Sequence, residues 1–360
     1  MKKRTVSLLM SLVMLLGTAA CGKPSAGSQS GSAPDASASK PGVSQSQSSS
    51  QSPSASQSQP DVLPEKQINV MVMSGPTGVG AAKLMADSEA AGNTAAYSFT
   101  VVAGNDEVAP ALAKGEADIA CIATNVAANL YNKNGGIQVL AANTLGVLYI
   151  LEKGQTITNV SSLKGKTIYA TGQGANPEYV IDHLLTQNGL DPDKDVTIEW
   201  MTPQEVTAKM VQSTDGVCLL PVPAATALMV KDSGVREAIN ISAEWDKISE
   251  SPLVMGCVVV RTAFMQENPE LVQQFLADYE ASINYMKDEA NRTQAAGYVA
   301  QFAITANAAI AAKAIPQCNL TYLAGAEMRQ AIQSYYEVLF TANPASIGGG
   351  NPDDEFYYVP

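Results

Sequence analysis

The sequence holds one histidine, two tryptophans and five cysteines in 360 residues. A single imidazole excludes a His-based metal centre and any mechanism that needs two of them. Positive charge is also scarce: 22 Lys and Arg stand against 34 Asp and Glu, a net charge of −12. That balance repels nucleic acid and anionic membrane surfaces, and no nucleic-acid partner is expected. There is no Gly-x-Ser-x-Gly, no P-loop ending in Lys-Ser/Thr and no cluster of metal ligands, so neither cofactor nor metal is expected. What the chain does have is apolar content, 46%, enough for real cores over a length that suggests two compact units.

The first residues read as an address. Lys2, Lys3 and Arg4 precede the apolar run Val6–Leu16, which is too short to span a bilayer comfortably and fits a secretory leader. Gly17-Thr18-Ala19-Ala20-Cys21 then places small residues before a cysteine, the pattern of a bacterial lipoprotein cleavage site, with Thr18 where Leu is usual. Residues 1–20 are thus expected to be removed and Cys21 to be lipidated, anchoring the protein to the outer face of the bacterial cell membrane. Residues 22–60 contain 15 Ser in 39 positions and cannot bury enough surface to offset ordering entropy. Residues 21–65 are therefore expected to be a lipidated Cys and a flexible Ser/Gln-rich tether. Without residues 1–20 the chain has 19 Lys and Arg against 34 Asp and Glu, near −15.

From residue 66 strands alternate with helices. Expected strands are Gln67–Met73, Tyr97–Ala103 and Asp118–Ala123, with helices at Gly80–Ala91, Asp106–Lys114 and Val126–Asn132. The order returns: strands Lys166–Ala170, Val196–Trp200 and Gly216–Leu220, with helices Pro177–Gln187, Pro203–Val211 and Ala224–Lys231. The two runs align without a gap at a shift of 97 residues: Ser74-Gly75 falls on Thr171-Gly172, and Asp118-Ile-Ala-Cys121 on Asp215-Gly-Val-Cys218. Two α/β lobes on one plan follow. Thr144–Lys153 and Met255–Arg261 are apolar strands suited to crossing between them, a two-strand hinge. Lobe 1 is expected from 66–147 plus 262–360, and lobe 2 from 148–261.

Ligands of open α/β sheets sit where strands end and helices begin. The matched loops there are Ser74–Gly80 and Thr171–Pro177, followed by Thr124-Asn125 and Pro221–Pro223. Each Gly-rich loop alone would be an ordinary βα turn; the matched pair points to a ligand site. Expected ligand contacts are Ser74, Gly75, Thr77, Gly78, Thr124, Asn125, Asn143 and Thr144 from lobe 1 and beside the hinge. From lobe 2 they are Gln173, Gly174, Ala175, Asn176, Val222 and Pro223. No Lys or Arg lies in those loops, so the site suits a neutral polar molecule, a heterocycle or a single oxyanion held by backbone N–H groups. Tyr179 or Trp245 could stack on a flat ligand or simply pack. His183 reads as structural. Cys121, Cys218 and Cys257 lie in apolar strands; buried free thiols are the favoured reading, with a Cys218–Cys257 bridge left open.

Ala113–Ala120, Gly146–Leu151, Ser162-Leu-Lys-Gly-Lys-Thr-Ile-Tyr-Ala170 and Val258–Val272, which contains Asn268-Pro269-Glu270, carry a family resemblance across residues 66 to about 285. They resemble the substrate-binding lipoproteins of ABC importers, in the NMT1/THI5-like branch with nitrate, sulfonate and thiamine-precursor binders. The resemblance implies a type 2 periplasmic-binding-protein fold, hinge closure on a small-molecule solute, an ABC permease and ATPase as partners, contact with the membrane through the lipid anchor only, and no enzymatic activity. The alternatives are a non-transport ligand-sensing or interaction lipoprotein and a pyrimidine-precursor synthase-like enzyme. Against the enzyme stand the lone His183 and the absence of a cysteine run.

Overall fold

Ile68, Val70 and Val72 alternate with more accessible residues and are almost fully buried, so Ile68–Met73 folds as a strand, β1. A computed structural model describes residues 66–360; the leader, Cys21 and the tether lie outside the described residues. Residues 66–360 belong to one compact unit. After β1 the chain runs through α1 (Pro76–Val79), α2 (Ala82–Ala91), β2 (Tyr97–Val102), α3 (Asn105–Lys114), β3 (Ile119–Ala123), α4 (Thr124–Asn134) and β4 (Ile137–Thr144). It continues with β5 (Leu148–Lys153), β6 (Thr167–Ala170), α5 (Asn176–Gln187), β7 (Thr197–Trp200), α6 (Pro203–Gln212), β8 (Gly216–Pro221), α7 (Ala224–Lys231), β9 (Val235–Asn240) and α8 (Ile241–Trp245). Then come β10 (Gly256–Arg261), α9 (Thr262–Glu267), α10 (Pro269–Lys287), α11 (Arg292–Gln301), α12 (Ala308–Ala314), β11 (Leu320–Ala324) and α13 (Gly325–Ala342).

Two sheets result. The six-stranded sheet has the order β11-β4-β10-β3-β1-β2, and the five-stranded sheet β7-β6-β8-β5-β9. β1 is parallel to β2 and β3, while β10 runs antiparallel to β3 and β4. The second sheet repeats the plan: β6 is parallel to β7 and β8, and β5 antiparallel to β8 and β9. Each sheet thus receives its reversed strand from the other half of the chain. The shift of 97 residues that links β1 to β6 and β3 to β8 also carries β4 onto β9, a pair the sequence reading did not include.

The expected strand Thr144–Lys153 divides. β4 ends at Thr144 in the first sheet, and β5 starts at Leu148 in the second. Gly146 lies between, where a Cβ would come within 2.9 Å of Leu253 Cδ2, so the two crossing segments pack on each other there. The second crossing ends before Gly256. Residues 256–261, expected at the end of lobe 2, are hydrogen-bonded inside the first sheet, because β10 fills the gap between β3 and β4. The Ser74–Gly80 loop is partly helical: Pro76 presets the backbone for a helical turn, and Gly78 lets that turn rest on the Met73 carbonyl. The helix expected from Gly80 consequently begins at Ala82. β9 and β11 are sheet-edge strands that are short, mix polar with apolar residues and pair with a register shift, which hides them from an apolar-run reading.

The four described cysteines are buried and free. Cys218 lies in β8 of the second sheet and Cys257 in β10 of the first, which removes the bridge between them. Burial holds all four thiols protonated, with Cys121, Cys218 and Cys318 pushed up to about 12. Cys121 and Cys218 do occupy equivalent positions. Asp118 and Asp215 do not share a role: Asp118 is buried and accepts from Arg261 Nη2 at 2.8 Å and from Asn69 N at 3.0 Å, whereas Asp215 is exposed.

Candidate functional site

Thr77, Asn143 and Thr144 converge on Gly256, the first residue of β10. A Cβ there would lie 2.6 Å from Asn143 Oδ1 and 3.1 Å from Thr144 Cβ, and would overlap Thr77 Cγ2. Asn143 is fully engaged inside the protein: Nδ2 donates to Tyr279 Oη at 2.9 Å, and Oδ1 accepts from Thr144 Oγ1 at 3.0 Å. Burial pushes the Tyr279 phenol well above its ordinary range, so it stays protonated and donor-competent.

A second group converges on the neighbouring Met255. Its carbonyl accepts from Thr124 N at 3.2 Å and from Asn176 Nδ2 at 2.7 Å. Asn176 Oδ1 accepts from Tyr335 Oη at 3.0 Å, so this fully buried amide ties α5 of one sheet to β10 and α13 beside the other. Tyr336 Oη donates to Thr124 O at 2.7 Å. Asn125 Nδ2 donates to Gly174 O at 3.3 Å and to Ser346 O at 3.2 Å, and Asn129 Nδ2 donates to the same Ser346 O at 2.7 Å. Asn132 Nδ2 continues the row onto Ile347 O and Gly350 O, each at 2.6 Å. Asn125, Asn129 and Asn132 lie on one face of α4 and bind the segment after α13.

Two atoms in this second group are unpaired. Thr124 Oγ1 and Asn125 Oδ1 are buried, in residues with no solvent exposure, and have no hydrogen-bond partner. The polar group beside Thr124 Oγ1 is the Cys257 thiol, and sulfur is a weak partner. Both residues open α4, which has no side-chain cap; α5 and α7 also lack one, whereas α6 begins with a Thr202–Glu205 capping box. Uncapped helix starts leave N–H donors for another acceptor.

The remaining expected contacts are scattered. Ser74, Gln173 and Gly174 are exposed, Gly75 is half-buried, and Gly78, Ala175, Val222 and Pro223 are buried. Val222 N donates to Val147 O at 2.9 Å, which fixes it to the first crossing. The Gly174 N–H is taken by the Glu178 carboxylate. Trp245 is wholly buried, donates to Ser251 O at 2.7 Å and packs between His183 and Tyr335, so it is core and not a stacking platform. Burial lowers the His183 pKa and keeps its imidazole neutral. Tyr279, Tyr335, Tyr336 and Ser346 were missed. The Phe275/Tyr279 spacing and the tandem Tyr335-Tyr336 were visible in the sequence, but nothing there marks a core phenol as a hydrogen-bond donor.

A groove of about 900 Å³ lies elsewhere, between α5, residues 248–252 and α13, and contains none of the expected contacts. Among the described residues no group of His, Cys, Asp and Glu could hold a metal ion, and no helix is long and apolar enough to cross a membrane.

A family model described as ABC transporter, phosphonate, periplasmic substrate-binding protein matches residues 89–312. The chain belongs to this family of phosphonate-type periplasmic substrate-binding proteins. The expected resemblance was to another branch of ABC solute binders, the NMT1/THI5-like one; the family shown is the phosphonate type. No curated protein matches the sequence. Among solved structures, this substrate-binding protein is similar to an ABC transporter protein from Parabacteroides distasonis, with 24% identity and a TM-score of 0.68 over 81% of this chain and 98% of that one. The periplasmic aliphatic sulphonate binding protein SsuA of Escherichia coli matches at 16% identity and TM-score 0.66, over 82% of this chain and 92% of that one. The alkanesulfonate-binding protein SsuA of Xanthomonas axonopodis pv. citri, bound to MOPS, matches at 16% and 0.61, over 81% and 96%. At these identities the likeness establishes the periplasmic-binding-protein fold.

Proposed function

We propose that this protein is the lipid-anchored solute receptor of an ABC importer, closing two lobes on a small polar, heterocyclic or singly anionic solute at the start of α4. In this reading one lobe is built on the first sheet with the C-terminal helices and the other on the second sheet. The crossings at residues 145–147 and 253–255 are the hinge. Cys21 is the lipid anchor, and the solute passes to a membrane permease.

The observation that carries the reading is the pair of unpaired atoms, Thr124 Oγ1 and Asn125 Oδ1, at an uncapped helix start where segments of both sheets meet. Buried polar groups without partners are uncommon in folded proteins, and each costs about 1–3 kcal/mol. A solute that pairs with them removes that cost. The family match supports the receptor role, and the absence of Lys and Arg from the loops favours at most one negative charge. The NMT1/THI5-like branch remains the finer expectation for ligand chemistry, alongside phosphonates and sulfonates.

The test is thermal unfolding of the full chain, refolded to strip carried-over solute, against phosphonates, alkyl sulfonates, nitrate, aminopyrimidines and short carboxylates. A solute at a hundredfold over its Kd adds about 2.7 kcal/mol. One class should raise the midpoint by several degrees, and Thr124→Val with Asn125→Ala should abolish the rise. A rise that survives both substitutions would refute this site.

A further inference from the structure

Asn125 has its polarity fixed by its neighbours. Both acceptors within reach of its Nδ2 are backbone carbonyls, Gly174 O and Ser346 O. A carbonyl cannot donate, so the amide nitrogen must face them and the amide oxygen must face the other way. Both Nδ2 hydrogens are then used, and Oδ1 is left as a buried acceptor with no donor. Ser346 O is itself held by Asn129 Nδ2, so the segment after α13 cannot easily turn away to let the amide flip.

Resting on the receptor reading above, we propose that Asn125 Oδ1 selects solutes that carry an N–H or O–H donor, and that oxyanions or heterocycles lacking one are rejected. The surroundings point the same way. The first two turns of α5 are acidic: Glu178 already accepts the Gly174 N–H, and one turn on, Asp182 is pushed up to about 6 by burial and by Glu178 and Asp193. No Lys or Arg in the four loops offers a compensating charge to a solute made only of acceptors. The Asn125–Gly174 bond is also the link to the segment of the second sheet. An analogue without the donor would leave the acceptor buried and unpaired, and sites built for a hydrogen bond reject such analogues strongly.

The experiment is calorimetric titration of the full chain with matched pairs: monomethyl 2-hydroxyethylphosphonate against monomethyl ethylphosphonate, 2-hydroxyethanesulfonate against ethanesulfonate, and 4-amino-2-methylpyrimidine against 2,4-dimethylpyrimidine. In the pair whose chemistry binds, the donor-bearing member should bind at least roughly tenfold more tightly. Asn125→Ala should shrink that ratio to about threefold or less, because the acceptor is gone. Asn132→Ala, which loosens the same segment at Ile347 and Gly350 and leaves the Asn125 and Asn129 contacts to Ser346 in place, should keep it; a purely structural role for Asn125 would weaken both members of a pair equally. Equal binding of a pair by the wild-type chain overturns this proposal alone and needs no variant. A ratio that persists in Asn125→Ala also overturns it. Failure of every probe in all three pairs to bind overturns the receptor reading of the site together with this proposal.

Discussion

Replacing Asn176 with Ala is expected to cost stability even though no solute is present. The Asn176 amide is fully buried, donates to Met255 O at 2.7 Å and accepts from Tyr335 Oη at 3.0 Å. Losing two buried hydrogen bonds costs about 1 kcal/mol each, and the stranded Tyr335 hydroxyl adds about 1 kcal/mol or more. Met255 O is not stranded, because Thr124 N still donates to it. The total is about 3 kcal/mol, which for a unit of this size lowers Tm by roughly 6 °C. Tyr335→Phe alone should cost about 1–2 kcal/mol, since it leaves Asn176 Oδ1 without its donor. In the double variant the shared hydrogen bond is lost only once and neither partner is stranded, so the loss should fall short of the sum of the two by about 2–3 kcal/mol. Urea or thermal unfolding of the four proteins completes the cycle. A loss below about 0.5 kcal/mol for Asn176→Ala, or strict additivity, would refute the reasoning that this residue is a hinge tie.

Three further outcomes follow from other parts of the fold. Gly256→Ala should destabilise by about 1–3 kcal/mol in chemical denaturation, because the new methyl meets Asn143 Oδ1 and Thr77 Cγ2; an unchanged midpoint would contradict the packing described. Asp118→Ala should cost about 3 kcal/mol or more by leaving the Arg261 guanidinium without its buried partner, while Asp215→Ala at the matching repeat position should stay within about 0.5 kcal/mol of wild type. Asp182, held near 6 when folded against its usual 3.8, binds more protons folded than unfolded between those values. Stability should therefore decline as pH rises from about 4 to about 6, and Asp182→Asn should flatten that part of the Tm-against-pH curve; a slope unchanged in the variant would assign it to other groups.

The doubled architecture was legible because β-branched runs and turn glycines recur at one shift, and the register of β3 and β8 follows it residue for residue. The edge strand β9 was not, since Val235-Arg-Glu-Ala-Ile-Asn240 is bulged between Glu237 and Ile239, which breaks the regular alternation of buried and exposed positions. The boundary expected at 261 falls after β10, where the strand pairing shows no break. β10 belongs to the first sheet, and only strand pairing reveals that an apolar segment has already crossed back. Within the site, Thr124 and Asn125 could be named from their place after β3. Whether an amide is spoken for could not: Asn143 and Asn176 look like Asn125 in sequence, yet their partners, Tyr279 and Tyr335, come from helices more than a hundred residues away.

Amide hydrogen exchange of the protein with its solute identified tests the central claim most directly. The account predicts slowed exchange in the first turn of α4, in residues 172–176 and in residues 343–347, the segments that meet at Asn125. Protection confined to α13 and residues 248–252, around the groove of about 900 Å³, would contradict it and move the solute site to that groove.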